Sequence, residues 1–384
     1  MVTMSKRISA LVALAATILA LGAAAPPAHA DPAANSGLYG RGDATFDGVF
    51  RQSLGILGLV ANDVKPGKAA ITWLLKQQCA DGSFQAYRPD PSKACAVSDP
   101  VNYTGPDTNT TALALSALLA VDQAASADAA AVWLAKHQSK DGGWPWFLGS
   151  ATDPASTGLV LSALMGEAPS RQVPSYRKAT RYLNRLAVSC ASGGGLSYER
   201  GAAADPLATA QGFLGLVATL PVSGSSSIKL TANPTCGRSA TDAAGSYLAT
   251  KITGTGALPS AFGSDPDYTS TSFAVLGFVA NSNGRQAVTK GTATLVANAS
   301  AYAMPAGAAN PGALGLLLLV SEATNMKPTN FGGINLINAL QQSQQYCHVY
   351  PGPSASASQF VLRRWCSARW PGPRPDIAIG RFGR

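Results

Sequence analysis

Asp265 and Asp267, one residue apart in the stretch DPDYTSTSF (265–273), carry the strongest suggestion of chemistry in the chain. A carboxylic acid held protonated in an apolar cavity, with donors nearby to stabilise its conjugate base, can protonate an alkene. The same residues can also start a helix. An Asp before the first turn accepts a hydrogen bond from an orphan N–H, and a following Pro has no N–H to leave unsatisfied. Other chemistry is sparse: beyond residue 30 the histidines are His137 and His348, and neither body cysteine pair has CxxC spacing. A Cys/His zinc cluster has no basis, and no metal or cofactor is expected. With Glu167, Glu199 and Glu322 as the glutamates of residues 31–345, a sugar cleft flanked by two carboxylates has little support.

The elements that present these residues recur. An Asp or Asn opens a run of small and apolar residues at Asp43, Asp107, Asp153, Asp205, Asp265 and Asn310, and each reads as a helix start. The six helices are apolar on nearly every side, the pattern of a helix buried all round. Amphipathic segments at 67–79, 127–140, 175–190, 240–252, 284–299 and 331–345 alternate with them. Six hairpins of this kind hide their apolar helices by closing into a ring, so the expected fold is an all-α (α/α)6 toroid over residues 43–345. An open superhelical stack would leave one face of the inner helices wet.

WLLKQQCADGSF (73–84) and WLAKHQSKDGGW (133–144) share Trp, Leu, Lys, Gln, Asp and Gly at an offset of 60 residues, which marks an internal duplication. Gln78-x-x-Asp81-Gly82-x-Phe84 and Gln138-x-x-Asp141-Gly142-x-Trp144 resemble the Gln-Trp (prenyltransferase/squalene oxidase) repeat of the terpenoid cyclases and protein prenyltransferases. That superfamily is built on an α/α toroid. The same toroid forms the large domain of cobalamin carriers such as transcobalamin and intrinsic factor, and of exported bacterial relatives. The resemblance covers about residues 40–345, and its repeats specify fold rather than activity. Trp73, Trp133 and Trp144 are expected to pack hairpins.

Triterpene cyclases carry DxDDTA at the start of an inner helix, the middle Asp donating the proton. On that pattern Asp265, Asp267 and Thr269 match, and Tyr268 stands where the third Asp belongs. Such enzymes line a cavity with aromatic rings, whereas the inner helices here offer mainly Phe213, Phe273 and Phe278, and a lumen nearer to plugged is expected. The prenyltransferase zinc set is missing, with His137 placed on an outer helix, and the Gly-Cys-Gly-Glu-Gln run of thioester proteins is absent. A non-catalytic binding protein is therefore favoured. The alternative is a terpene cyclase/mutase-like isomerase with Asp267 as general acid, assisted by Asp265. In parallel, the inner helices would bring Asp107, Asn109, Thr110, Asp153, Ser156, Thr157, Asp205, Thr209, Gln211, Asp265, Asp267 and Tyr268 to one positively polarised rim. A polar cup of this kind suits a large ligand with amide groups, and the resemblance to cobalamin carriers makes a corrinoid the leading candidate. Asp265 is expected as the cap of its helix, leaving Asp267 and Tyr268 as residues the other copies lack.

Lys6 and Arg7 precede the apolar run Ala10–Ala25, and Ala28-His29-Ala30 offers a small-x-small cleavage site, so residues 1–30 read as a signal peptide and 31–42 as a linker. The protein is expected to be secreted or held at the cell surface. Cys79, Cys95, Cys190 and Cys236 then lie in an oxidising compartment, and sequential pairing is preferred among three connectivities. The net charge of +9 is concentrated at the ends: residues 346–384 hold six Arg against Asp376, and 31–345 hold 21 basic and 19 acidic residues. Nucleic acid is not an expected partner. The tail 346–384 reads as an unstructured basic segment, either a frame-shifted anchor region or a segment that meets a membrane or cell-wall partner.

Overall fold

The computed structural model describes residues 36–167, 169–221, 229–260, 263, 265–351 and 362–367. The chain runs through α1 (Gly48–Ala61), α2 (Lys68–Gln77), α3 (Thr108–Ala120), α4 (Ala124–Lys136), α5 (Pro154–Glu167) and α6 (Pro169–Leu186). It continues through α7 (Pro206–Val217), α8 (Ala240–Thr255), α9 (Tyr268–Ala280), α10 (Arg285–Ala297), the short α11 (Ala299–Ala303), α12 (Pro311–Ala323) and α13 (Leu336–Ser343). Two-residue strands β1 (Trp144–Pro145) and β2 (Thr152–Asp153) pair antiparallel, as do β3 (Leu258–Pro259) and β4 (Pro266–Asp267).

Helix α1 packs on α3, α3 on α5, α5 on α7, α7 on α9, α9 on α12, and α12 back on α1, which closes a ring. Helices α2, α4, α6, α8, α10 and α13 each pack on the inner helix of their own hairpin. The architecture is the all-α (α/α)6 toroid, with parallel inner helices. Each inner helix lies between two inner neighbours, an outer helix and the ring axis, so along its middle no side of it meets water and no polar face is selected. Residues Thr110–Leu118 of α3, Ser270–Val279 of α9 and Ala313–Ser321 of α12 are buried without interruption. The ring axis is therefore packed with side chains. Outer helices need one apolar stripe: α2 buries Ala70, Trp73 and Leu74 and exposes Lys68 and Lys76.

The duplicated motif is the joint between hairpins. Gln78 Nε2 donates to the Gly82 carbonyl at 3.1 Å and to Ser126 O, just inside the next outer helix, at 2.8 Å. Gln138 repeats this with Gly142 O and Ser175 O, both at 2.9 Å. Gly82 and Gly142 hold φ of 92° and 99°, the left-handed region that favours glycine. Trp133 Nε1 donates to Asp81 at 3.0 Å and so joins two hairpins, while Trp144 Nε1 donates to Leu134 O at 2.7 Å and Trp73 stacks with Tyr87, each packing the segment that follows its own outer helix.

Two expectations change at the start of the ring. Residues 36–42 are not a free linker: Leu38 and Tyr39 are buried, and Gly37 N–H to Gln345 O and Gln345 N–H to Leu38 O, both 2.8 Å, seal the first hairpin to the last. Nor does Asp43 open α1, because its carboxylate takes the Thr45 N–H and hydroxyl while Asp47 directly precedes the helix. Asp47 does not cap either. Its carboxylate accepts from Arg51 at 2.9 Å, and Arg51 also holds the carbonyls of Tyr39, Gly42 and Asp43.

Cys79–Cys95 and Cys190–Cys236 form the two sequential disulfides, bracing the segments that follow α2 and α6. In the tail, where the sequence shows no strand period, β5 (Tyr346–Pro351) pairs antiparallel with β6 (Leu362–Ser367). The leader 1–30 and the rest of the tail lie outside the described residues.

Candidate functional site

Because the inner helices are parallel, α3, α5, α7 and α9 start at one rim, and they start alike. The carboxylates of Asp107, Asp153, Asp205 and Asp267 accept the N–H of Thr110, Ser156, Ala208 and Ser270 at 2.8, 2.7, 2.9 and 2.9 Å. Four residues after each Asp stands a threonine: Thr111, Thr157, Thr209 and Thr271. Each Thr hydroxyl donates to its Asp carbonyl at 2.7, 2.7, 2.6 and 2.6 Å. It also accepts the N–H of the residue that closes the preceding turn, Phe84, Trp144, Leu196 or Leu258, at 2.9 to 3.0 Å. The Asp-x-x-x-Thr unit thus caps an inner helix and pins the turn before it.

This geometry corrects the reading of DPDYTSTSF. Asp267, not Asp265, is the cap of α9, and it is the counterpart of Asp107, Asp153 and Asp205 rather than an addition to them. Thr271 must meet Leu258, and that contact sets the cap four residues earlier. Pro266, which suggested an Asp-Pro helix start, belongs to β4, and Asp265 is exposed.

Of the remaining expected rim residues, Asp107, Thr110, Ser156, Thr157, Thr209 and Gln211 are buried, while Asn109, Asp153, Asp205, Asp267 and Tyr268 are half-buried. Thr157 and Thr209 are taken up in cap units, and the Ser156 hydroxyl donates to Asp153 Oδ2 at 2.7 Å. The rim also contains residues not expected from the sequence. Trp146 lies near two caps, its N–H groups acting to lower the carboxyls of Asp107 and Asp153. Tyr302 lies 5.5 Å from Tyr268, centroid to centroid, with its hydroxyl 2.9 Å from the Thr269 hydroxyl. Tyr198 is close enough to Asp153 and Asp205 for both charges to act on its phenol. A usable signal for two of these was present: Trp146 and Tyr198 each stand seven residues before a cap aspartate.

Burial dominates the electrostatics. It pushes the carboxyl of Asp107 up to about 6 against the hydrogen bond from Thr110, and that of Asp153 up to about 6 against Ser156. Asp205 is raised by burial, with the charge of Asp267 adding to it, and Asp267 is raised by burial against its bonds to Ser270 and Thr269. The Tyr198 and Tyr302 phenols are pushed up by burial and then by these carboxylates, and Tyr247 rises to about 12 through burial and Asp205. Among the described residues the ion pairs are Arg51–Asp47 and Lys93–Asp90, so no salt bridge reaches the four cap carboxylates. Below the rim the packing is dry: Phe213, Phe273 and Phe278 are fully buried, with Phe213 and Phe278 in ring contact at 5.2 Å.

No protein-family model and no curated protein matches the chain. Among solved structures it is similar to a protein from Actinoplanes at 14% identity and TM-score 0.46, covering 75% of this chain and 91% of that one. It is also similar to the type II terpene cyclase MstE from Scytonema in its apo form, at 14% identity and TM-score 0.38, covering 64% of this chain and 68% of that one. Likenesses of this degree carry nothing about activity.

Proposed function

We propose that this chain is an exported, non-catalytic binding protein that takes its ligand on the rim where its inner helices begin. The observation that carries this reading is the packed ring axis: with Thr110–Leu118, Ser270–Val279 and Ala313–Ser321 buried on all sides, a chamber for a folded hydrocarbon has no support. The polar groups that reach solvent on the inner helices instead gather at the rim, among them Asn109, Asp153, Asp205, Asp267 and Tyr268. The leader pattern and two disulfides support export. A large ligand with amide groups, such as a corrinoid, would lie across such a mouth. Calorimetry and the visible spectrum during titration with cobalamin test this candidate. Saturable binding that weakens in rim variants supports it, and a flat titration removes the corrinoid.

The second reading makes Asp267 the general acid of a cyclase, and its raised carboxyl favours it. Against it stand the packed axis and the capture of both Asp267 oxygens by Ser270, at 2.9 and 2.5 Å. Incubation with squalene or a polyprenyl diphosphate separates the two. A cyclised product that vanishes in Asp267→Asn would replace the binding reading.

A further inference from the structure

We propose that Cys347 and Cys366 form a third disulfide, which closes the hairpin of β5 and β6 and ties the basic tail to the seam of the ring. The pairing goes beyond the rim-binding reading and rests on its export part alone. Its ground is register. In the antiparallel ladder Cys347 stands directly opposite Cys366, with Tyr346 opposite Ser367 and His348 opposite Trp365 on either side. Directly opposed residues of such a ladder have Cα atoms about 4.5 or 5.5 Å apart, inside the range of about 4.4–6.8 Å that a disulfide needs. Cys79–Cys95 and Cys190–Cys236 each have a Cα separation of 5.7 Å, within the same range.

Cysteine usage and strand stability agree with the register. The chain has six cysteines and the body disulfides engage four, so in an oxidising compartment Cys347 and Cys366 have each other as the remaining partner within the chain. Their separation of 19 residues (366−347) lies between the 16 and 46 of the body pairs. A two-stranded hairpin is marginal in water by itself, and a cross-link that restricts the open chain stabilises it. Strand β5 is fixed at its start, because the preceding Gln345 N–H bonds to Leu38 O at 2.8 Å across the seam, and β6 is joined to β5 through the ladder. The bond forms by exchange with an oxidant that is itself a disulfide. The Cys347 thiolate attacks one oxidant sulfur and releases the other as a thiolate. The Cys366 thiolate then attacks the Cys347 sulfur of the mixed disulfide and releases the second. Two cysteine thiols thereby lose two protons and two electrons, and the oxidant gains them as two thiols. A shifted reading frame gives no reason for two cysteines in register, so the bond favours a genuine tail.

The test takes the full chain from exporting cells without reductant, alkylates it under denaturing conditions, digests it with trypsin and maps the peptides by mass spectrometry. Trypsin cuts after Arg364, between the two cysteines, and after Arg369, so Cys366 leaves in peptide 365–369 unless a bond holds it to the peptide of Cys347. The expected result is that linked pair, lighter than its two peptides by two hydrogens, with no cysteine alkylated. Alkylated Cys347 and Cys366 beside intact body disulfides would overturn the pairing and leave export and rim binding standing. Alkylation of all six cysteines would overturn export as well. On a non-reducing gel the chain should run as a monomer, and a dimer that reductant splits would overturn a bond within one hairpin. Cys347→Ser combined with Cys366→Ser should leave the body disulfides and the melting of the ring unchanged. In that variant trypsin should cut the native tail after Arg363 and Arg364 about ten-fold faster or more than in the parent. Equal rates would overturn the hairpin as the structure that the bond holds.

Discussion

The Gln211 carbonyl oxygen of α7 lies 2.0 Å from where a Cβ on Gly158 of α5 would stand. Gly215 answers from the other side, its own Cβ position being 2.2 Å from the Gly158 carbonyl oxygen. The two inner helices touch backbone to backbone, and the axis of the ring is filled partly by that contact.

Gly158→Ala is therefore expected to destabilise the fold by about 1–3 kcal/mol or more, although helix propensity alone would favour Ala by about 1 kcal/mol. Gly254 on α8 has no neighbour within 4 Å of its Cβ position, so Gly254→Ala should be neutral or stabilising. Denaturant unfolding of the two variants checks the contrast. Similar stabilities would mean that the inner helices have room between them.

Thr271→Val keeps the shape of α9 but leaves the Leu258 N–H without its acceptor. A loss of about 1–3 kcal/mol is expected, the cost of a buried donor left unpaired. Thr269→Val removes a hydroxyl contact with half-buried Tyr302, and should cost less. Urea midpoints of the pair give the order, and a reversed order would contradict the role given to Thr271.

Asp267→Ala removes the acceptor for both Ser270 N–H and Ser270 Oγ and should lower stability by about 1 kcal/mol. Asp265→Ala, at an exposed place outside the cap, should stay within about 0.5 kcal/mol of the parent. Asn at 267 keeps the capping oxygen and sheds a buried charge, so Asp267→Asn should retain the stability that Ala loses. Equal loss at 265 and 267 would return the cap to Asp265.

The pH dependence follows from Asp107 and Asp153, both raised by burial from 3.8 to about 6. A folded-state value above the unfolded one means the folded protein binds the proton more tightly. The stability gained is fully present below the unfolded value and lost as pH rises through about 6. Melting should therefore occur at a higher temperature at pH 5 than at pH 7.5. Asp107→Asn combined with Asp153→Asn should flatten the slope. Below about pH 4 the lowered carboxyls of Asp43, Asp81, Asp90 and Asp99 act the other way, because their contribution is lost on protonation.

The alternation of inner and outer helices was legible because burial writes itself locally. A helix enclosed on all sides reads as α9 does, and one with a wet face reads as α2 does. The Gln-x-x-Asp-Gly turn was legible because its internal bond reaches four residues, from Gln78 to Gly82, whereas the bond from Gln78 to Ser126 that makes it a joint was not. Cap register at α9 was not, since Asp265-Pro266 imitates Asp153-Pro154 and Asp205-Pro206. What decides between Asp265 and Asp267 is a bond from Leu258 to Thr271, thirteen residues apart. In the α3 copy the same bond spans 27 residues, because the loop braced by Cys79–Cys95 is inserted, and the shared unit was hidden by unequal spacing.

By itself, then, the sequence determined the helix types and their order, which follow from local pattern, and favoured the sequential cysteine pairs among three connectivities. Only the tertiary structure decided that α12 closes on α1 and that Asp267 is the cap. These depend on residues remote in the chain being brought within hydrogen-bond or Coulomb range, and on a burial that raises each carboxyl only once the whole ring excludes water.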